Sequence, residues 1–359
     1  MIPKNYFFSG INKTVIALIL FSLAINASSQ VILSADGNTD TYDLINSVLA
    51  PGYNVVEVPD CGHEEFGDHI DQAFDDELDT YVFCFHIHTE FDSDRCINYD
   101  RQRTEIKTYD KSPDNLIGTE GETVVYKWKF RLDIDFKASS SFTHLHQLKA
   151  VGGSEESMPL MTLTARKGTP DKLELRYAEA LSQETIYQAD LTPFKGYWVL
   201  ATERITYGET GEYSINITLL QSGQSIFQYS SNNIRTWKTD ADFIRPKWGI
   251  YRSLNDSENL RDEKVYFNDF SIEETNGTPV LETKGNQDFI IYPNPSTGEF
   301  TVSNILNKDI QIRNLYGELI FKLQNASTNQ LSINNITSGL YLITLRFGNN
   351  IATQKLVVN

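Results

Sequence analysis

Three short stretches of the sequence carry side chains that bind anions and exchange protons. In chain order, the residues concerned are Arg101, Arg103, Glu105 and Lys107; His144, His146, Gln147 and Lys149; and Arg245, Lys247, Gly249, Tyr251 and Arg252. Successive side chains of a strand point to opposite faces, so all four residues of the first stretch share one face. A charged face cannot pack against a dry core without paired partners. The pattern therefore predicts a wet groove that binds an anionic ligand.

The third stretch separates its polar and apolar residues by the same alternation. Lys247, Gly249 and Tyr251 share one face, whereas Trp248 and Ile250 share the other and suit a core between two sheets. Since Gly249 has no side chain, we expect a gap through which a ligand reaches the backbone.

The second stretch leaves two alternatives open. His144 and His146 have the opposite parity to Gln147 and Lys149. Either a bulge brings His146 and Gln147 to the groove together, or the histidine pair faces it alone.

The elements that must position these residues are strands. Between residues 81 and 275, many short β-rich runs are separated by turns containing Gly, Asp, Asn and Ser, which predicts a sandwich or jelly roll. Residues 41–50 could form one short helix. No GxGxxG or GxxxxGK motif is present, which argues against nucleotide-binding α/β folds.

Composition narrows the class of protein. The chain has 359 residues, of which 40% are hydrophobic and 12% aromatic, enough for a large domain and an appendage. Its net charge is −17, whereas a nucleic-acid-binding protein needs a basic surface, so we expect no nucleic-acid partner. A groove for an anionic ligand must therefore be locally basic.

The N-terminus has the features of a secretory signal peptide over residues 1–30, with Lys4 and Lys13 before a short apolar run. No later segment is apolar enough to span a bilayer, so we expect no membrane span in the mature protein. An oxidising compartment would allow a disulfide, and we favour Cys84 with Cys96 because they flank a possible hairpin.

The remaining histidines and aspartates suggest weaker sites. His63 and His69 lie in a polar stretch that fits no metal-ligand spacing, so we expect a solvated loop and no metal. His86 and His88 alternate like the histidines of the second stretch and are second candidates for the groove. Asp92 and Asp94 could hold a structural Ca²⁺, although an acidic turn explains them equally well.

The last seventy or so residues resemble a known export signal. They open with Tyr-Pro-Asn-Pro at 292–295, contain Gly-Leu-Tyr at 339–341 and end with Lys-Leu-Val-Val at 355–358. Together these motifs resemble the C-terminal sorting domain that Bacteroidetes attach to cargo of the type IX secretion system. The resemblance implies a small β-sandwich, interaction with that secretion machinery, and transport through the periplasm to the outside or to the cell surface.

The three stretches resemble motifs of the jelly-roll polysaccharide lyases, which include alginate lyases, glucuronan lyase and heparin lyase I. Those enzymes carry Arg-x-Glu-x-Arg, Gln-Ile-His and Tyr-x-Lys-x-Gly-x-Tyr in this order. Here Lys107, Lys149 and Arg245 replace the last Arg, the His and the first Tyr. The resemblance covers residues 81–273 and implies a concanavalin-like jelly roll. The expected domains are a signal peptide 1–30, a lyase-like domain 31–274, a linker 275–287 and a sorting domain 288–359.

The resemblance implies β-elimination on an acidic polysaccharide with no cofactor required. Arg103, Gln147 or a histidine would neutralise the substrate carboxylate, and His146 or Tyr251 would take the proton. Tyr251 would then protonate the leaving oxygen, and Lys247 beside it would favour its ionised form. The other assignments are that Glu105 holds Arg103 in place and that further sugar acids contact Arg101, Lys107, Lys149 and Arg252.

Two other functions remain open. One is a non-catalytic carbohydrate-binding sandwich, with stacking platforms supplied by Trp128, Trp198, Trp237 and Trp248. The other is a glycoside hydrolase, which needs paired carboxylates. No Glu-x-Asp-x-x-Glu run is present in the sequence, so the hydrolase ranks last.

Overall fold

The computed structural model describes residues 30–275 and 289–358, apart from 293, 295, 304, 315–317 and 348–349. The predicted signal peptide lies outside the described residues, except for Gln30, as does the predicted linker, except for Thr275. The chain forms two units that divide after residue 277. Within the described ranges, no helix has the length and apolarity needed to cross a membrane.

The first unit is built from one short helix and fifteen described strands. The helix α1 spans Thr41–Leu49, within the range that the sequence predicts, and short 3-10 turns lie at Asp60–Gly62, Asp114–Leu116, Thr192–Phe194 and Ser257–Asn259. The strands are β1 Gln30–Leu33, β2 Val56–Glu57, β3 Ile70–Asp75, β4 Thr80–Ile87, β5 Arg101–Lys107, β6 Thr123–Leu132, β7 Thr143–Val151, β8 Met161–Arg166, β9 Lys172–Tyr177, β10 Glu184–Asp190, β11 Val199–Thr206, β12 Gly211–Leu219, β13 Ser225–Ile234, β14 Phe243–Ser253 and β15 Glu263–Thr275.

These strands form two antiparallel sheets. The groove sheet has the order β10-β9-β8-β7-β14-β5-β2. The back sheet has the order β13-β12-β11-β6-β15-β4-β3, with β1 paired to β15. The three stretches that carry the candidate site residues are β5, β7 and β14, and β14 lies between the other two. The predicted all-β, concanavalin-like jelly-roll sandwich is confirmed.

The core lies between the two sheets because apolar residues alternate along their strands. On β6, Tyr126, Trp128 and Phe130 are buried, while the residues between them are partly exposed. From the groove sheet, Trp248 and Ile250 enter the same core. This arrangement sends the other face of β14, with Tyr251, away from the core.

The disulfide joins Cys61 to Cys96, with their Cα atoms 6.4 Å apart, and Cys84 is a free, buried thiol. The predicted pairing of Cys84 with Cys96 is therefore wrong. Cys84 lies on β4, the second strand from one edge of the back sheet, opposite Asp71 on one side and Tyr266 on the other. Its position inside the sheet keeps it from the loop that carries Cys96.

The second unit contains two further antiparallel sheets. Its strands are β16 Ile290–Tyr292, β17 Phe300–Ser303, β18 Asp309–Asn314, β19 Leu319–Leu323, β20 Gln330–Ile333, β21 Gly339–Phe347 and β22 Asn350–Val358. The sheets have the orders β16-β17-β20 and β19-β18-β21-β22. Phe300, Ile310, Ile312 and Ile343 contribute to a separate core, so this unit is the small β-sandwich that the sequence predicts.

Candidate active site

A cavity of about 330 Å³ lies on the face of the groove sheet opposite the core, and we call it the groove. It is lined by Arg101, Arg103, Ser141, Phe142, His144, Gln147, Lys149, Ser157, Met158, Pro159, Arg166, Arg176, Gln183 and Tyr251. The lining contains five cationic side chains and no carboxylate, in a chain whose net charge is −17. The groove is therefore a basic site on an acidic protein, suited to an anionic ligand.

Two of the five cations, Arg166 and Arg176, are not among the residues singled out from the sequence. They lie at one end of β8 and near the end of β9, and both contact Glu174, at 3.3 and 2.9 Å. The signal was present in the alternation of Lys172-Leu-Glu-Leu-Arg176, which places polar residues on one face of β9. Without the sheet order, nothing linked that face to the groove.

Tyr251 lies among cations in the lining of the groove. Arg101 Nη1 donates a hydrogen bond to Tyr251 Oη at 3.1 Å, and Arg103 Cζ lies 3.7 Å from the centroid of the Tyr251 ring. The rings of Phe142 and His144 lie 5.1 and 5.8 Å from it, centroid to centroid. The Tyr251 side chain thus contacts one guanidinium group through its oxygen and a second through the face of its ring.

His144 reaches the groove because β7 is bulged. In the pairing of β7 with β8, His144 lies opposite Thr164 and His146 opposite Leu163, which leaves Leu145 as an extra residue. His144 and Gln147 therefore line the groove together although they are three residues apart. Neither alternative expected from the sequence is correct, because the bulge separates the two histidines.

The His144 imidazole is held in one orientation and kept neutral. Its Nδ1 lies 2.7 Å from Thr164 Oγ1, and its Nε2 makes no hydrogen bond to any residue that the structure describes. Burial, reinforced by the charge of Arg103 and other guanidinium groups, lowers the pKa of His144 to about 3. An uncharged imidazole nitrogen is thus available beside Tyr251.

His146 points into the core, so its predicted place in the groove is wrong. Its Nε2 lies 2.8 Å from Glu203 Oε2 on the back sheet, and its Nδ1 lies 2.9 Å from the backbone oxygen of Lys247. Its ring packs against Trp128, with centroids 4.4 Å apart. Tyr213 Oη donates to the other oxygen of Glu203 at 2.7 Å, so the side chains of His146, Glu203 and Tyr213 form a buried polar bridge between the sheets.

A buried ion cluster lies beneath the groove and fixes Arg103. Arg103 Nη1 contacts Glu105 Oε2 at 2.5 Å, and its Nε contacts Asp94 Oδ1 at 2.8 Å. Lys247 Nζ contacts Glu57 Oε2 at 2.5 Å and Glu105 Oε2 at 2.9 Å. The ammonium of Lys247 is thus engaged by two carboxylates, and the predicted electrostatic partner of Tyr251 is replaced by Arg101 and Arg103.

The carboxylates of this cluster stay ionised. Burial alone would raise the pKa of Glu105, but Lys247 and Arg103 hold it below its ordinary value. The pKa of Glu57 is lowered in the same way against its burial, with Lys107 as a third cation. Glu57 comes from the two-residue edge strand β2, which the sequence pattern did not predict. Its pairing with β5 brings it to the cluster.

Gln147 and Gly249 have roles that the sheet determines. Gln147 Nε2 donates to Glu105 Oε1 at 2.5 Å, which orients the amide at the wall of the groove. Gly249 adopts a φ of +145°, and a Cβ built on it would lie 2.1 Å from the backbone oxygen of Thr104. The expected gap over Gly249 is therefore filled by β5, and the glycine allows close approach of two strands.

The predicted substrate-binding residues divide into three groups. Arg101 and Lys149 line the groove, and burial together with repulsion from Lys247 and Arg103 lowers the pKa of Lys149 to about 8. Lys107 does not line the groove, and its Nζ contacts Glu57 Oε1 at 2.7 Å. Glu105 is buried beneath the groove. The prediction for Arg252 is wrong, because it is fully buried on the opposite face, where its Nε donates to Gln102 Oε1 at 2.9 Å.

The tryptophans are unavailable as stacking platforms. Trp128, Trp198 and Trp248 are at most 1% exposed, and Trp237 is 7% exposed. The carbohydrate-binding alternative thus loses the residues on which it depended.

The other histidines form a separate cluster. His86 and His88 are not in the groove: His86 lies on β4 of the back sheet, and His88 follows it. The loop around His63 is largely exposed, as expected, but His63 itself is half-buried and His69, at the end of the loop, is fully buried. Asp92 is contacted by the nitrogens of His63, His69 and His88, a nitrogen-rich environment that does not suit calcium.

The second unit matches a known family. Residues 290–359 match the family model of the secretion system C-terminal sorting domain. The protein is therefore cargo of type IX secretion, and it is secreted or retained at the cell surface. Among curated proteins, none matches the chain.

Solved structures that partly match the chain include several polysaccharide lyases. An endo-β-1,4-glucuronan lyase from Trichoderma reesei has 15% identity over 57% of this chain and 87% of its own, with a TM-score of 0.41. An alginate lyase from Pseudomonas aeruginosa has 12% identity over 61% and 97%, with a TM-score of 0.40. A family 7 alginate lyase has 14% identity over 62% and 94%, also with a TM-score of 0.40. Identities of this size transfer no residue roles to this chain.

Proposed function

We propose that the first unit is a polysaccharide lyase that cleaves a uronate-containing glycan by β-elimination. The observation that carries the proposal is the position of Tyr251 in a groove lined by five cations and no carboxylate, with Arg101 at 3.1 Å from its oxygen and Arg103 over its ring. A phenol held among guanidinium groups is suited to exchanging a proton beside an anionic sugar.

The reaction breaks a carbon–hydrogen and a carbon–oxygen bond of the substrate. The proton alpha to the carboxylate is removed, negative charge spreads onto the carboxylate as an enediolate, and the 4-linked oxygen leaves with the electron pair of its bond. A carbon–carbon double bond forms in the sugar that remains. The enzyme must therefore neutralise the carboxylate, accept one proton and return one to the leaving oxygen.

Tyr251 is assigned both proton transfers. With Arg101 stabilising its charge, the phenolate oxygen accepts the alpha proton and then returns that proton to the leaving oxygen. His144, with a pKa of about 3, is too weak a base for this step at neutral pH and serves instead as an uncharged hydrogen-bonding group through Nε2. Gln147 and Arg103, both in the lining of the groove, are assigned to the substrate carboxylate.

The test is a panel of alginate, glucuronan, heparin-type and ulvan-type glycans, with the unsaturated product followed by ultraviolet absorbance. Tyr251→Phe should lower the rate by about 10²–10⁴-fold, the usual contribution of an acid–base group. Tyr197→Phe is the matched control, because Tyr197 is 50% exposed and outside the groove lining. Glycan affinity of Tyr251→Phe should stay close to that of the wild type.

Three outcomes would contradict the proposal. Binding without any product across the panel would indicate a carbohydrate-binding protein. New reducing ends without ultraviolet absorbance would indicate a hydrolase. Equal activity of Tyr251→Phe and the wild type would remove Tyr251 from the chemistry.

A further inference from the structure

Four potential metal ligands converge at a place away from the groove. His63, His69, His88 and Asp92 each offer one ligand atom, and these atoms lie within 4.8 Å of one another. His63 lies in the loop before β3, and His69 immediately precedes that strand. His88 immediately follows β4, and Asp92 lies in the turn after it. We propose that these four residues form a site for a tetrahedral transition-metal ion, with Zn²⁺ as the preferred ion.

The donor set selects the class of metal. Three imidazole nitrogens and one carboxylate oxygen are the ligands that zinc accepts in four-coordinate sites, whereas calcium and magnesium prefer oxygen ligands. A site with four protein ligands leaves no open position, so the expected role is structural.

The geometry is close to what an ion requires. His63 Nδ1 and His69 Nε2 lie 2.9 and 3.1 Å from Asp92 Oδ1, and His88 Nδ1 lies 3.1 Å from Asp92 Oδ2. Ligand atoms at the corners of a tetrahedron with metal bonds of about 2.0–2.1 Å are separated by about 3.3 Å. The contacts to Asp92 are already near this value, and since all four ligand atoms lie within 4.8 Å of one another, the histidine nitrogens need to approach each other by at most about 1.5 Å.

Supporting contacts orient the ligands. Asp60 Oδ1 lies 2.7 Å from His69 Nδ1, so a proton on Nδ1 directs the lone pair of Nε2 toward the cluster, as in carboxylate–histidine–metal arrangements. The Phe66 ring packs on the rings of His69 and His88, with centroids 4.8 and 4.3 Å away. His69 and Asp92 are buried, while the side chains of His63 and His88 are 17% and 18% exposed, which gives an ion a route in.

The site is linked to the groove through a short segment. Two residues after Asp92, Asp94 contacts Arg103 Nε at 2.8 Å and its Nη2 at 3.2 Å. The backbone N–H of Arg103 also donates to the oxygen of Ser93 at 3.3 Å. An ion bound by Asp92 would therefore restrain the segment that positions Arg103, and its removal would loosen the basic wall of the groove.

The competing arrangement is a metal-free cluster in which Asp92 accepts hydrogen bonds from the histidines. Elemental analysis and cobalt spectroscopy of the chelator-treated full chain distinguish the two. After titration with Co²⁺ alone, we expect one ion per chain and the intense visible absorption of tetrahedral cobalt. Zn²⁺ should then displace the cobalt and raise the melting temperature.

Variants locate the ion. His63→Ala and His88→Ala should each abolish the tetrahedral cobalt spectrum, and Asp60→Asn should weaken zinc binding by about 10–100-fold. His86→Ala is the matched control, since this neighbouring histidine contacts Asp71 at 3.0 Å and lies outside the set. Tryptophan fluorescence checks that each variant is folded.

Substoichiometric cobalt in the wild type, or cobalt binding by both ligand variants as tight as that of His86→Ala, would overturn the proposal. The measurement is independent of lyase activity, because Tyr251→Phe should bind the same amount of metal as the wild type. A protein without lyase activity that holds one tetrahedral ion would keep the metal site and remove only the proposed reaction.

Discussion

Neutralising Glu105 should destabilise the first unit without changing its volume. Glu105 is fully buried and contacts Arg103 Nη1 at 2.5 Å, Lys247 Nζ at 2.9 Å and Gln147 Nε2 at 2.5 Å. In Glu105→Gln, the amide oxygen can still accept a hydrogen bond, but the amide NH₂ group must face donors from Arg103, Lys247 or Gln147. The substitution thus removes a charge and introduces a donor–donor conflict.

The size of this loss of stability depends on which ion pairs Arg103 and Lys247 retain in the variant. Removing one member of a buried ion pair costs about 3–5 kcal/mol because the other charge is left uncompensated. Arg103 retains Asp94 and Lys247 retains Glu57, so neither is left alone. We therefore expect a loss near the lower limit, about 3 kcal/mol in the free energy of unfolding.

Chemical unfolding followed by tryptophan fluorescence measures this loss in the right unit. All four tryptophans lie between residues 128 and 248, so their signal reports the first unit and not the sorting domain. The matched control is Glu212→Gln, which removes the same charge from an exposed contact with Arg204 at 3.4 Å and should cost about 0–1 kcal/mol. Equal losses for the two variants would refute the assignment of Glu105 to a buried, ionised cluster.

The pH dependence of the same measurement has a definite sign. The pKa of Glu105 is lowered in the folded protein, so its contribution to stability is present above its ordinary value of 4.5 and is lost as pH falls through the folded value. The difference in stability between wild type and Glu105→Gln should therefore shrink with acidification. A constant difference would contradict an ionised Glu105.

Two further predictions concern the groove and the core beneath it. Lys149, with a pKa of about 8, loses its charge as pH rises through that value. Because a charged hydrogen bond is worth about 1.5 kcal/mol, the KM for an anionic glycan should increase by about tenfold over this pH range. Lys149→Arg should remove this pH dependence of KM, and a variant with the same pH profile as the wild type would exclude Lys149 from binding. His146→Gln should lower the free energy of unfolding by about 2 kcal/mol, because it removes the contact of His146 with the Glu203 carboxylate. His144→Gln should change the free energy of unfolding by only about 1 kcal/mol, and it should lower kcat/KM instead. The reverse pattern in unfolding and kinetic measurements would restore His146 to the groove.

The fold was largely predictable because alternation of side chains is a local property. The β6 pattern, with buried aromatic residues at every second position, identifies both the strand and its inward face. The same rule assigned Arg103 to the polar face of β5 and Tyr251 to the polar face of β14, and both residues line the groove. It failed on β7, where a bulge at Leu145 puts His144 and His146 on opposite faces.

Residues that depend on distant pairing were the ones missed. Glu57 reaches the ion cluster only because β2 pairs with β5, and Arg176 reaches the groove only because β9 follows β8 and β7 in the sheet. The disulfide of Cys61 with Cys96 likewise joins two loops that are 35 residues apart in the chain. None of these contacts leaves a signature within one strand.

By itself, the sequence determined the all-β class, the alternation that separates core from groove, and the sorting domain at the C-terminus. Only the tertiary structure decided which histidine faces the groove, which two cations contact Tyr251, and that three histidines converge on Asp92. The physical reason is that the direction of a side chain within a regular strand follows from its neighbours in sequence. Sheet order, bulges and ion pairing instead depend on contacts between residues far apart in the chain.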